Sequence, residues 1–155
     1  MKQLGLFGSR GVRAAVGFLT AVLLCGSSAA ARAESIAVIV NADGPLVGLT
    51  REDVRALYLG DRQFVAAERV AVFHLPEGPI KDALLREVTG KGLKEYRLHW
   101  VRKVFQEGLS LPRVLGGPSA VVADVRTHPV GIGYVPERAV EGAQGVVTLF
   151  RVPGP

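Results

Sequence analysis

Cysteine is nearly missing from this chain: Cys25 is the only one in 155 residues. It lies in an apolar stretch near the amino end, so the domain that follows has no disulfide to lean on and must rest on its packed core. Metal-ligand spacing is lacking too. There is no cysteine pair and no His-x-x-x-His, and His74, His99 and His128 are scattered, so no metal or other cofactor is expected. Beyond the amino end no segment has the roughly 20 consecutive apolar residues that a membrane-spanning helix needs. A strongly basic surface is lacking as well. The formal charge is +5, but Lys2, Arg10, Arg13 and Arg32 precede residue 34 whereas all 14 acidic residues follow it, which leaves +1 on residues 34–155. Such a domain carries no electrostatic footprint for nucleic acid. Finally, no nucleophile–base set stands out. Ser119 has no nucleophile-elbow context. Glu77 and Asp82 show no contrast of environment that would separate an acid from a base. A non-enzymatic protein is the expectation.

What is present begins with the amino-terminal segment. Lys2, Arg10 and Arg13 are followed by the apolar Ala14–Leu24 and then by Ala31-Arg32-Ala33. A basic start, a short apolar core and a small-x-small triplet describe a secretory signal over residues 1–33, cleaved after Ala33. The protein is therefore expected to be periplasmic or otherwise exported. Lipid anchoring at Cys25 is not expected, because Leu24 stands where a small residue is required. Residues 34–155 then form one domain with one core.

Ser35–Val40 is an apolar run without alternation, as in a strand buried on both faces of a sheet. Thr50 with Asp53 three residues later marks a helix start, and Gly60 marks its end. Phe64 is expected to tuck back onto the core. Val70–Phe73 reads as a second strand, ended by His74-Leu75-Pro76-Glu77-Gly78, after which Pro79 opens a helix that runs to Thr89. Leu93–Gln106 is the longest helical pattern, with Tyr96 and Trp100 on its apolar stripe. A Gly/Pro-rich loop leads to Gly116-Gly117, and Ser119 is read as the N-cap of a further helix. Val130–Val135 is a strand whose Gly131 and Gly133 mark close backbone approach. Gly145–Val152 is the last strand, and the Pro153-Gly154-Pro155 tail should fray. Strands alternating with helices give an α/β domain with a mainly parallel sheet flanked by helices.

Two glycine-led helix starts are the candidate site. The unpaired N–H groups and the positive dipole end of a helix start suit an anion. The first comprises Glu77, Gly78, Ile80 and Lys81, with His74 beside it. The second comprises Gly116, Gly117 and Ser119.

Four stretches carry a family resemblance. Leu49–Gly60 resembles the Leu-Ser-x-x-x-(Leu/Ile)-x-x-Ile-Phe-Leu-Gly segment of the phosphate-binding subunits of ABC importers. Val70–Pro79 is similar to their strand and acidic-Gly-Ser-Gly-Thr loop. Gly116-Gly117 and Pro129–Val135 look like their glycine pair and their Pro-Gly-Ala-Ile-Gly-Tyr-Val strand. The resemblance implies a single lobe of a type 2 periplasmic-binding-protein-like fold. It also implies a small phosphate-like anion as ligand and a transporter or other envelope protein as partner. At the positions where the family's Arg, Ser and Thr touch the anion, this chain has Leu75, Pro79 and Lys81. A domain that kept the lobe and gave up the ligand for an interaction role is the alternative expectation.

Overall fold

The computed structural model describes residues 33–155. The signal segment, its cleavage point and Cys25 fall outside or at the edge of that range and carry no structural account. The elements follow in the order β1 (Ile36–Asn41), α1 (Arg51–Leu59), β2 (Phe64–Val65), β3 (Glu68–Arg69), β4 (Ala71–His74), α2 (Pro79–Thr89), α3 (Leu93–Glu107), β5 (Arg113–Val114), α4 (Pro118–Thr127), β6 (Gly131–Pro136), one 3-10 turn (Glu137–Val140) and β7 (Val146–Val152).

Five strands form one sheet in the order β5-β4-β6-β1-β7. β4 pairs in parallel with both β5 and β6, whereas β1 is antiparallel to β6 and to β7. Four strands thus run one way and β1 alone runs against them. The sheet is mainly parallel by strand direction, but only half of its pairings are. The apolar run of β1 predicts burial, and the strand is buried along its whole length. Burial on both faces carries no sign of direction, so the reversed strand left no trace in the pattern.

Successive residues of β4 and β6 face opposite sides of the sheet. On one side Gly133 meets α4, where a Cβ would lie 2.5 Å from Val121 Cγ1. On the other side Tyr134 meets Tyr58 of α1 and His74 of β4. Most of the core surrounds β1, β6 and α4, and a smaller cluster of Leu85, Tyr96 and Trp100 joins α2 to α3.

The helix boundaries follow local chemistry. Thr50 Oγ1 accepts from the Asp53 N–H at 3.2 Å, and Asp53 Oδ2 accepts from the Thr50 N–H at 2.9 Å, a reciprocal capping box. Gly60 ends α1 at φ +75°, a left-handed conformation that favours glycine.

Three expectations need correction. Phe64 is 56% exposed, because it sits in a two-residue hairpin with β3 that carries it away from the sheet. The turn of that hairpin is Ala66-Ala67, both at positive φ, so none of the Asn-Gly chemistry that announces such turns is present. Ser119 is not an N-cap: Gly117 is, with Pro118 in the first turn. A proline there fits the fixed φ and loses no hydrogen bond, and this preference outweighed the serine. The carboxyl tail does not stand clear of the domain, since Gly154 runs so close to the Glu34 carbonyl that a Cβ would overlap it.

Candidate functional site

The chain leaves β4 and β5 at the same rim. These neighbours are parallel, with Phe73 opposite Arg113 and His74 opposite Val114, and the Leu115 N–H donates to the His74 carbonyl at 2.8 Å just beyond. From there β4 feeds α2 through Leu75–Gly78, and β5 feeds α4 through Leu115–Gly117. Both helices begin with Gly-Pro, and neither N-cap offers a side-chain hydrogen bond to the first turn. The N–H groups of Ile80 and Lys81, and of Ser119 and Ala120, lie in those uncapped first turns. A Cβ placed on Gly78, Gly116 or Gly117 would meet nothing within 4 Å. The glycines are therefore not there to make room for their own chain. They leave the space in front of the first turns open.

The candidate residues divide. Gly78, Ile80, Gly116, Gly117 and Ser119 belong to the two helix starts. Glu77 is exposed, and both its carboxylate oxygens accept from Arg97 Nη2, at 2.8 and 2.7 Å. Arg97 holds the Glu77 carboxyl below its ordinary range. Lys81 contributes its backbone to the start of α2, but its side chain is buried, with 8% of the residue exposed, and faces a cavity bordered by α3. Leu75 is buried in the core.

His74 does not reach the rim as a ligand group; it is 2% exposed and both ring nitrogens are occupied. Tyr96 Oη donates to the Tyr58 carbonyl at 2.6 Å, which uses its only proton. His74 Nε2, 2.9 Å from the same hydroxyl, must therefore be the donor there. In neutral His74 the unprotonated Nδ1 accepts from Tyr134 Oη at 3.1 Å, and Tyr134 in turn accepts from the Leu75 N–H at 3.3 Å. Burial, followed by the charge of Lys81, pushes the His74 pKa down to about 3. Burial likewise pushes the Tyr58, Tyr96 and Tyr134 phenols upward. The role of this group is to hold the floor beneath the rim.

Sequence reasoning missed this hub. Its members come from α1, β4, α3 and β6, and only the tertiary fold brings them together. The other histidines are structural as well. His99 Nε2 donates to the Leu59 carbonyl at 2.7 Å, and His128 Nδ1, at the end of α4, to the Asp124 carbonyl at 2.7 Å. Among the described residues no group of three His, Cys, Asp or Glu side chains could hold a metal ion. No described helix is long and apolar enough to cross a membrane.

This α/β layering is that of a periplasmic-binding-protein-like fold, matched over part of the length of the solved structures that it resembles. Among similar solved structures is a putative phosphate ABC transporter substrate-binding protein with bound phosphate from Clostridium perfringens. It is 19% identical, with a TM-score of 0.57, and the match covers 75% of this chain and 44% of that one. Another is a possible phosphate binding protein from Planctomyces limnophilus DSM 3776, 12% identical, with a TM-score of 0.53 and coverage of 76% and 42%. The chain thus spans less than half the length of these proteins, and at such identities the likeness is one of fold. No protein-family model matches the chain, and no curated protein matches it.

Proposed function

We propose that this is an exported, non-enzymatic solute-binding-type module that presents two uncapped helix starts to a small, phosphate-like anion. The groups that would meet it are the backbone N–H groups around Gly78, Ile80 and Lys81 and around Gly116, Gly117 and Ser119. The carrying observation is that both helices open with Gly-Pro at the carboxyl ends of neighbouring parallel strands. In open α/β sheets this is the end at which ligands gather, and the dipoles of both helices favour negative charge there. The likeness in fold to proteins described as phosphate binders supports the choice of anion. A role beside an ABC transporter, with a partner covering the open side of the rim, belongs to the same proposal. Calorimetric titration of the chain with phosphate, sulfate and small carboxylates tests it. Saturable heat with phosphate is expected, and no heat at millimolar phosphate rules it out.

A second reading, an interaction domain without a ligand at this rim, draws on α3. Leu98, Val101 and Phe105 recur at three- and four-residue steps and are 49%, 46% and 85% exposed. An apolar stripe on an outer helix face marks a contact surface more often than a solvated one. Sedimentation of the chain with and without envelope extract, compared with Phe105→Glu, tests this face. A species equally large for both chains speaks against it.

A further inference from the structure

Between α2, α3 and β5 lies a cavity of about 240 Å³, which Glu77 and Lys81 border beside the start of α2. None of Gly78, Ile80, Gly116, Gly117 or Ser119 lines it. Its walls are Leu93, Tyr96 and Trp100 of α3 together with Leu111, Pro112 and Val114. Three wall residues near the mouth, Val101, Leu111 and Val114, are 46%, 65% and 56% exposed, an unusual gathering of wet apolar side chains.

Two cations also line it, Arg97, which is paired with the Glu77 carboxylate at the same wall, and Lys81. Lys81 lines the cavity and is more than nine-tenths buried. Among the described residues it makes no hydrogen bond and no ion pair. The two nearby carboxylates on its own helix and loop are already engaged, Glu77 by Arg97 at 2.7 Å and Asp82 by Arg86 at 2.8 Å. The Lys81 stem is buried, but its ammonium keeps contact with solvent and has no carboxylate among the described residues paired with it, so it is open to an incoming anion. Burial, together with the charge of Arg97 and partly offset by Glu77, holds the Lys81 ammonium below the ordinary lysine range.

The lining selects the class of ligand. Phosphate would bring at least one charge and several hydrogen-bond acceptors into walls that are mainly hydrocarbon and aromatic, and most would go unmet. A single carboxylate on an apolar body matches the one lining cation that is not already paired, Lys81, in a mainly apolar cleft. The volume lies just under the roughly 300–1,000 Å³ of drug-sized sites, so the body must be small. We propose that the cavity binds a small amphipathic monocarboxylate, its carboxylate on the Lys81 ammonium and its apolar body against Tyr96, Trp100 and Val114. This site borders the first helix start through Lys81, but it uses the lysine side chain and the apolar walls rather than the backbone N–H groups, and so does not depend on the anion reading there.

Trp100 is the only tryptophan in the chain, so its emission reports on the cavity. The full chain is titrated with phenylacetate and octanoate, with phenylacetamide as the uncharged counterpart and inorganic phosphate as the bare anion, and calorimetry runs alongside. Saturable binding of at least one acid is expected by roughly 10 mM, with phenylacetamide weaker by about tenfold or more. Lys81→Met keeps the length of the stem and removes the charge. It should lower acid affinity by about tenfold or more while leaving phenylacetamide binding and the thermal midpoint as they were. Val114→Glu, at the exposed mouth, should weaken the acids without unfolding the chain. Equal affinity for acid and amide, an acid affinity unchanged in Lys81→Met, or no saturable signal with either acid overturns the proposal. So does a Trp100 response to phosphate alone.

Discussion

His74 donates from Nε2 and accepts at Nδ1, so a second proton would set an N–H against the Tyr134 hydroxyl and leave that hydroxyl without its acceptor. Tyr58, Tyr96 and Tyr134 surround the ring, and Lys81 adds a positive charge nearby. The fold keeps the imidazole neutral down to about pH 3, whereas an unfolded histidine takes up its proton near 6.5. The unfolded state therefore binds more protons in that window. The stability tied to His74 is complete above pH 6.5 and drains away as the pH falls towards 3. The loss between pH 7 and pH 5 should be about 2 kcal/mol, at roughly 1.4 kcal/mol per pH unit once below 6.5. Urea unfolding at the two pH values measures it, and equal stability at both would contradict the neutral hub. Tyr58 Oη is the one buried side-chain polar atom among the described residues with no hydrogen-bond partner. Removing an unmet buried hydroxyl costs little, so Tyr58→Phe should leave stability unchanged or raise it by up to about 1 kcal/mol in urea unfolding. A loss greater than that would mean the hydroxyl is bonded in solution. The sequence shows His74 at a strand end and three tyrosines far apart. Its place beside a glycine loop looks like a ligand position until the sheet sets Tyr134 next to it.

At the scale of elements the local signals were strong where the chemistry is local. The helix start at Thr50 and Asp53, the glycine stop at Gly60 and the end of α2 at Thr89, which Gly90 closes at φ +73°, could all be read directly, because each is decided within a few residues. The Ala66-Ala67 turn could not, since its conformation is imposed by the strands on either side. Gly131 and Gly133 were readable as sites of close approach, but not what approaches them. Gly133→Ala would push a methyl to 2.5 Å from Val121 Cγ1 and wedge α4 off the sheet. Overpacking of this kind should cost about 1–3 kcal/mol, seen as a lower denaturant midpoint, and an unchanged midpoint would show that α4 can shift freely. The two helix starts separate stability from binding. Gly78 and Gly117 have extended backbone and open space for a side chain. Gly78→Asp and Gly117→Asp would each cap a helix and raise stability by a few tenths of a kcal/mol. The same carboxylate would occupy the anion's place and repel it, so calorimetric phosphate binding should disappear. Aspartate variants that bind phosphate as well as the parent would remove the helix starts from the proposed function.

Over the whole molecule the sequence foretold α/β layers and helix starts at strand ends, but not the reversed β1 or which strands would be neighbours. Those depend on pairings between residues about a hundred positions apart, such as Ile36 with Pro136 and with Val152. The same wide view sets the strength of binding. The rim offers a handful of backbone N–H donors from one side only, and Leu75, where the resemblance would put an arginine, is buried in the core. A hydrogen bond to a charged group contributes about 1.5–3 kcal/mol, and three or four of them must also offset an association cost of at least about 4 kcal/mol. The balance is a net of roughly −4 kcal/mol, a dissociation constant near 1 mM. Phosphate titrated into the chain alone should therefore bind in the millimolar range at a stoichiometry of one, with the same constant at low and high protein concentration. Micromolar binding that strengthens as the protein is concentrated would mean that a second copy closes over the rim. Micromolar binding independent of concentration would mean that this chain holds its anion with groups other than the two helix starts.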